Sequence, residues 1–241
     1  MINYIKKTYR GNKESIFKML EENLVNENKM FIVTANPETF MKADSIPEFD
    51  KALNEESTTI VPDGIGVVKA ANYIGINEIK ERITGVDISY KLLEYANKYE
   101  KSLFLLGATE EVISLTIQNI KKEYPNINIL GYSNGFVEDK DKVFEDIVKL
   151  SPDITLVALG VPRQEILIAK HFDKFNKGIF VGVGGTFDVI SGMAKRAPKI
   201  VQTLNIEWLY RIFGDKERMK RFYDSNIKFV FKVKKLYDKE K

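Results

Sequence analysis

From residue 103 to residue 185 the chain repeats one pattern, and that pattern leaves few folds open. A short apolar run ends in glycine or a polar residue, and a stretch with helically spaced apolar positions follows. Residues 103–108 (LFLLGA) stop at Gly107, and Thr109 then opens a helix with Glu110 and Glu111 in its first turn, where the helix dipole favours acids. Residues 127–130 repeat the theme before Gly131 and a helix over 141–150. Residues 154–159 run into Gly160-Val161-Pro162-Arg163-Gln164-Glu165 and another helix, and residues 179–183 run into Gly184-Gly185. Upstream, residues 30–33 end in Thr34-Ala35-Asn36-Pro37, and residues 58–61 end in Pro62-Asp63-Gly64. Helical spacing is clear at Ile16, Phe17, Leu20 and Leu24, and again at Leu92, Leu93 and Ala96. Strand–helix alternation with short connections predicts an α/β fold, a mostly parallel sheet with helices on both faces.

In such a sheet, ligands bind beyond the carboxyl ends of the strands. Asn36, Asp63, Gly107, Gln164 and Gly184 all fall at that edge by sequence position. The Gly184-Gly185 turn presents bare backbone N–H groups where a strand feeds a helix, an arrangement that binds phosphate; an ordinary tight turn is the competing reading. Thr34 and Asn36 alternate with Ala35, so both point from the end of one strand into one crevice, unless Asn36 is only a helix cap. Asp63 beside Gly64 is either an exposed carboxylate or a turn residue. Arg82 precedes a helix opened by Thr84 or Gly85 and is placed to meet an anion or to pair with Asp87.

Other features exclude chemistries. The chain has no cysteine, which removes disulfides and thiolate sites. No apolar run approaches the roughly 18–20 residues of a membrane span. The first residues lack an apolar signal region, so a cytoplasmic protein is expected. Asp139 and Asp141 form a D-x-D inside a charged run and are not read as a metal site; no metal or other cofactor is expected. His171, the only histidine, reads as a surface residue between Lys170 and Asp173. Gly64-Ile65-Gly66 lacks the third glycine of a dinucleotide fingerprint.

Composition shifts near residue 206, which divides the chain into an α/β domain, 1–206, and an appendage, 207–241. The appendage carries 11 Lys and Arg against 6 Asp and Glu, and 8 of its 35 residues are aromatic. One reading is a helical pair packed on the domain with lysines outward. The other is an interfacial element, with rings at headgroup depth and cations meeting an anionic membrane surface. No nucleic-acid motif accompanies the charge, so none is expected as a partner. Arg211, Arg218 and Arg221 would share one face of a continuous helix, although Gly214-Asp215 is a stop signal.

The ordered set Thr34-Ala35-Asn36-Pro37-Glu38, Pro62-Asp63-Gly64, Arg82-Ile83-Thr84-Gly85-Val86-Asp87, Leu106-Gly107-Ala108, Gly160-Val161-Pro162-Arg163-Gln164-Glu165, Gly182-Val183-Gly184-Gly185-Thr186-Phe187-Asp188, Arg196-Ala197-Pro198 and Glu207-Trp208 resembles the WecG/TagA/CpsF family of bacterial glycosyltransferases. The resemblance covers about residues 30–225; the short strand hairpin with which the family usually begins is not legible in the first 28 residues. It implies a Rossmann-like sheet and a membrane-associated, metal-independent, inverting enzyme. Such an enzyme moves N-acetylmannosamine from a UDP donor to undecaprenyl-diphosphate-linked N-acetylglucosamine for teichoic acid or another surface polysaccharide. Members using N-acetylmannosaminuronic acid or a hexose-derived donor, and a non-catalytic nucleotide-sugar-binding module, are the alternatives. The oligomeric state is open, and a homo-oligomer is compatible. Asp63 is the expected base, with Thr34, Asn36 and Gln164 holding the sugar. Gly184, Gly185, Arg211, Arg218 and Arg221 are expected on the diphosphate, Asp188 on uracil or ribose, Arg82 on a phosphate, and Gly107 at the binding edge.

Overall fold

The computed structural model describes residues 1–194 and 216–240, with side chains placed for residues 1–194 and 225–239. In chain order the strands are β1 (Lys29–Ala35), β2 (Thr58–Pro62), β3 (Ser102–Gly107), β4 (Asn128–Ser133), β5 (Ile154–Ala158) and β6 (Gly178–Gly182). They form one six-stranded sheet in the order β2-β1-β6-β5-β3-β4, and each neighbouring pair is parallel.

Side chains alternate across the sheet, so each strand supplies two cores. Phe31, Val33, Phe104, Leu106 and Phe180 enter the first. Met30, Ile32, Leu103, Leu105, Ile179 and Val181 enter the second. The first face is covered by α1 (Ile2–Lys7), α3 (Pro37–Ala43), α4 (Pro47–Asn54), α5 (Ile65–Tyr73), α8 (Lys140–Leu150), α9 (Arg163–Phe172) and α11 (Lys216–Glu240). The second is covered by α2 (Lys13–Val25), α6 (Gly85–Lys98), α7 (Glu110–Glu123) and α10 (Thr186–Ile190). The chain leaves β1 toward the first face and β6 toward the second. Between these neighbouring strands the loops part, which opens a crevice at the carboxyl edge.

The first 28 residues hold two helices rather than a strand hairpin. They shield one edge of the sheet, where the Tyr9 N–H donates to the carbonyl of Ile60 in β2 at 2.8 Å. His171 is not at the surface: it is only 2% exposed. Its ring stacks on Phe144 and its Nε2 meets Asp141 Oδ1 at 2.6 Å, so it clamps α9 onto α8. Asp141 also pairs with Lys170, and Asp139 caps α8 by accepting from the Lys142 N–H at 2.9 Å. Asp139 is therefore engaged as a helix cap, and Asp141 in holding α8 to α9. Among the described residues no cluster of three or more His, Asp or Glu is arranged to hold a metal ion.

The C-terminal helix α11 is two-sided. Phe229 and Val233 are buried in the first core, whereas Ile227, Val230 and Phe231 are exposed. Phe229 lies 6.1 Å from the Phe40 ring of α3, and Lys232 pairs with Asp44 just beyond α3. Among the described residues no helix is long and apolar enough to cross a membrane.

Candidate active site

The crevice begins at the end of β1. Thr34 is buried, and its hydroxyl donates to the carbonyl of Gly182 in β6 at 3.1 Å. Asn36 closes a capping box on α3: its Oδ1 accepts from the Thr39 N–H at 3.0 Å, and its own N–H donates to Thr39 Oγ1 at 3.2 Å. The cap uses the carbonyl end of the side chain and leaves the amide end at the rim. The reading of Asn36 as a cap and its place at the carboxyl edge therefore hold together.

One strand over, the Asp63 N–H donates to the Ala35 carbonyl at 2.9 Å, extending the ladder by a rung past β2. Asp63 is half-buried. The register aligns Ala35 with Pro62 and Val33 with Gly182. Asp63, Asn36 and the Gly184-Gly185 turn therefore follow closely on the carboxyl ends of three adjacent strands, β2, β1 and β6. Two inter-strand spacings, roughly 10 Å, separate β2 from β6. Arg82 stands next to the second wall, since the following Ile83 N–H donates to the Pro62 carbonyl at 2.7 Å. The first turn of α6 closes against β1, because Gly85 has no side chain: a Cβ there would lie 3.3 Å from Thr34 Oγ1. Asp87 completes the α6 cap with Thr84 and pairs with Lys13 at 2.9 Å.

The glycine turn is braced from two sides. Gly184 (φ +50°) donates its N–H to Gln164 Oε1 at 3.1 Å. Gly185 is exposed and gives α10 no side-chain cap. Helix α10 itself is held by α7, since Thr116 Oγ1 donates to the Phe187 carbonyl and Asn119 Nδ2 to the Ile190 carbonyl. The Asp188 carboxylate lies beside the turn, 3.3 Å from where a Gly185 Cβ would sit.

Gln164 is buried at the start of α9, 2% exposed, with Oε1 also accepting from the Gly160 N–H at 3.0 Å. Gly107 is set by packing: at φ +130° a Cβ would lie 2.3 Å from the Ala158 carbonyl oxygen. Sequence reasoning passed over Glu165, the neighbour of Gln164. Burial pushes its carboxyl up to about 7, against smaller downward pulls from Gln164, its own backbone N–H and Lys42.

Helix α11 reaches the same rim. A Cβ on Gly66 would lie 3.2 Å from Asn226 Oδ1 and 2.8 Å from Pro37, so glycine at 66 lets α11 and α3 meet there. The contacts 226 with 66, 229 with 40 and 232 with 44 run α11 parallel to α3. Its earlier turns therefore extend beyond the carboxyl edge. At 1.5 Å per residue, the backbone at Arg221 and Arg218 lies about 8 and 12 Å past Asn226. Their side chains, and the whole of Arg211, lie outside the described residues.

Residues 7–241 match the model of the glycosyl transferase WecG/TagA/CpsF family. The chain belongs to this family. It is 40% identical over 208 residues to the N-acetylglucosaminyldiphosphoundecaprenol N-acetyl-beta-D-mannosaminyltransferase of Bacillus spizizenii, covering 86% of this chain and 80% of that one. It is 40% identical over 212 residues to the protein of that name in Bacillus subtilis, covering 88% and 82%. For the Staphylococcus aureus protein of that name the figures are 37% over 209 residues, 86% and 81%. In this WecG/TagA/CpsF glycosyltransferase, Thr34, Asn36, Asp63, Gly184 and Gly185 gather at the β2-β1-β6 rim. Gln164 lies beneath the turn as a buried brace, and Gly107 lies farther along the sheet, at β3.

Proposed function

We propose that the protein transfers N-acetylmannosamine, with inversion, from a UDP donor to N-acetylglucosamine carried on undecaprenyl diphosphate, for teichoic acid or a related surface polysaccharide. The observation that carries this reading is that Asp63 and the Gly184-Gly185 turn follow the carboxyl ends of β2 and β6, the two strands that flank β1 and its Asn36. Inverting transfer needs a base at the acceptor hydroxyl and charge stabilisation at the leaving diphosphate, on opposite sides of the anomeric carbon. Asp63 is the base. The Gly184-Gly185 turn takes the diphosphate through the Gly185 N–H, since the Thr186 N–H already donates to the Val183 carbonyl at 3.1 Å. Gly184 supplies the bend, because its own N–H is committed to Gln164.

Asn36 holds the sugar through its amide end, and Thr34, buried with its hydroxyl on the Gly182 carbonyl, supports the end of β1 beneath it. Asp188, a carboxylate beside an anion cradle, suits the ribose or uracil hydrogen-bond donors and not the phosphates. Arg218 and Arg221, on turns of α11 that overhang the rim, neutralise the leaving group together with Arg211. Arg82 holds a phosphate from the α6 side.

The acceptor is a lipid, so the rim lies next to a membrane, with the flank of the domain that carries α11 turned to the membrane surface. Helix α11 supports this orientation: Ile227, Val230 and Phe231 form an outward stripe flanked by exposed Lys228, Lys234 and Lys235. The enzyme then sits peripherally on the inner face of the cell membrane. The appendage beyond residue 206 is not a detachable module in this reading, because removing α11 would uncover Phe40. Losing one buried Phe costs about 3–5 kcal/mol.

The test is a donor screen with the full chain and a lipid-diphosphate N-acetylglucosamine acceptor in anionic vesicles, reading released UDP. UDP-N-acetylmannosamine is expected to be turned over. No UDP release with any N-acetylhexosamine donor would leave only a binding module. In the same assay the double variant Lys234→Glu, Lys235→Glu is expected to lose vesicle turnover while keeping turnover of a short-chain soluble acceptor; equal rates on vesicles would refute the membrane orientation.

A further inference from the structure

Glu165 has no place in the chemistry assigned above, yet it is the least ordinary side chain of the carboxyl edge. It is 0% exposed, and carboxylates are almost never so buried unless paired. Only one oxygen is paired: Oε1 accepts from Gln164 Nε2 at 2.6 Å. Oε2 has no hydrogen-bond partner among the described residues. A core chosen for stability alone would not keep an acceptor dry in this way.

The paired oxygen decides which way the Gln164 amide points. Gln164 Oε1 accepts from the N–H groups of Gly160 at 3.0 Å and Gly184 at 3.1 Å. These two glycines begin the turns after β5 and β6. The two ends of a carboxamide have nearly the same shape. Reversed, its NH2 would face two N–H donors, and both turns would lose their acceptor. The Glu165 oxygen turned to the amide, Oε1, accepts whether the group is ionised or carries its proton on Oε2, so Glu165 selects the orientation that keeps them. Strand β6 makes room for the pair by having glycine at 182, where a Cβ would lie 2.7 Å from Gln164 Nε2 and 2.8 Å from Glu165 Oε1.

A continuous linkage therefore runs from Glu165 through Gln164 to Gly184, whose neighbour Gly185 faces the crevice. We infer that Glu165 is a positioning residue for the donor diphosphate: it locks the Gln164 amide and so fixes the glycine turn that receives the nucleotide. The inference rests on the reading of that turn as the diphosphate cradle. Glu165 itself touches no reacting atom.

The test is calorimetric titration of the full chain with UDP, beside thermal unfolding, for wild type, Glu165→Leu and Glu165→Gln. Leucine is apolar and of similar volume: it removes the cost of burying a carboxyl and leaves Gln164 Nε2 without its acceptor, two effects of opposite sign on stability. The Leu variant is expected to melt close to wild type and to bind UDP at least about tenfold more weakly. It should also show a raised KM for the UDP-sugar and an unchanged KM for the acceptor. The Gln variant, whose carbonyl still accepts from Gln164, should restore UDP affinity to within about threefold. Wild-type affinity in the Leu variant overturns the inference. So does a parallel loss of stability and affinity in both variants, which would make Glu165 an ordinary core residue. If the Leu variant does not fold, Gly182→Ala decides, since its methyl displaces the same pair; unchanged UDP affinity there overturns the inference. A wild-type chain that does not bind UDP overturns the reading of the turn itself, and the inference with it.

Discussion

The two edges of the sheet treat their buried carboxyl groups in opposite ways. At the amino edge, Asp153 is fully served: it accepts from the Ser102 N–H at 2.8 Å, the Ser102 hydroxyl at 2.6 Å and Lys177 at 2.8 Å. Burial works to raise that carboxyl, but the hydrogen bonds from Lys177 and Ser102 outweigh it and hold it below its ordinary value. At the carboxyl edge, Glu165 keeps one oxygen without a partner among the described residues, and burial dominates, lifting it to about 7. At the amino edge the Asp153 carboxyl is saturated within the fold, although the Thr155 hydroxyl inside β5 has no hydrogen-bond partner among the described residues. The carboxyl edge keeps an unpaired carboxyl oxygen and a helix without a side-chain cap, with glycine turns between strands and helices. Polar groups left unsatisfied against the interest of stability concentrate at functional sites, so the contrast between the two carboxyl groups favours the carboxyl edge as the working one.

The largest effect should come from the working edge. Asp63→Asn keeps the size of the side chain and removes the proposed base. The rate of sugar transfer is expected to fall by roughly 10²–10⁴-fold, the range for a lost general base. UDP affinity, read by calorimetry, should stay within about twofold of wild type, because the proposed diphosphate turn follows β6, two strands from β2. An Asp63→Asn enzyme turning over near the wild-type rate would break the assignment and, with it, the claim that this edge is catalytic.

The next effect reads the contrast through pH. Glu165 has an ordinary value of 4.5 and about 7 in the folded protein. Between those values the folded state holds a proton that the unfolded state has released, so stability falls as pH rises from about 4.5 to 7 and then levels off. The full span corresponds to about 3 kcal/mol. Glu165→Leu should remove this slope, and the difference in melting temperature between wild type and variant should drift in the variant's favour from pH 5 to pH 7.5. A constant difference over that range would mean that the carboxyl is ionised throughout.

Much of this edge was legible before any coordinates. The glycine and polar stops after each short apolar run located all six strands, because period and punctuation are local signals. Asn36, Asp63 and Gly185 follow from those stops, since the ladder register brings strand ends to a common level. Residues whose role depends on packing were not legible. His171 between two charged neighbours gives no hint that Phe144 and Asp141 will enclose it from another helix. Glu165 reads as an ordinary acid in the first turn of a helix, and only the fold shows that its second oxygen is stranded. Helix α4 escaped notice although Phe49, Ala52 and Leu53 have helical spacing. In the tail, Phe229 and Phe231 look equivalent in a run of alternating rings and lysines, but two residues on a helix face different ways. One is core and the other is surface.

The smallest effect, and the sharpest control, lies at the amino edge. Asp153→Asn keeps one acceptor but loses the charge that Lys177 and Ser102 are arranged around. Hydrogen bonds to a charged group contribute about 1.5–3 kcal/mol, so a loss of about 2 kcal/mol at neutral pH is expected by denaturant unfolding. Its pH sign is the reverse of that of Glu165. A depressed carboxyl stabilises above its ordinary value of 3.8, and that contribution disappears as pH falls through the lower folded value. The Asn variant should therefore approach wild-type stability in acid and fall behind it toward neutrality. Transfer rate and UDP affinity should not change, because β5 and β6 separate Asp153 from the rim by the length of a strand. A variant that lost activity along with stability would mean that the two ends of the sheet are coupled, and that the division of labour between them is not real.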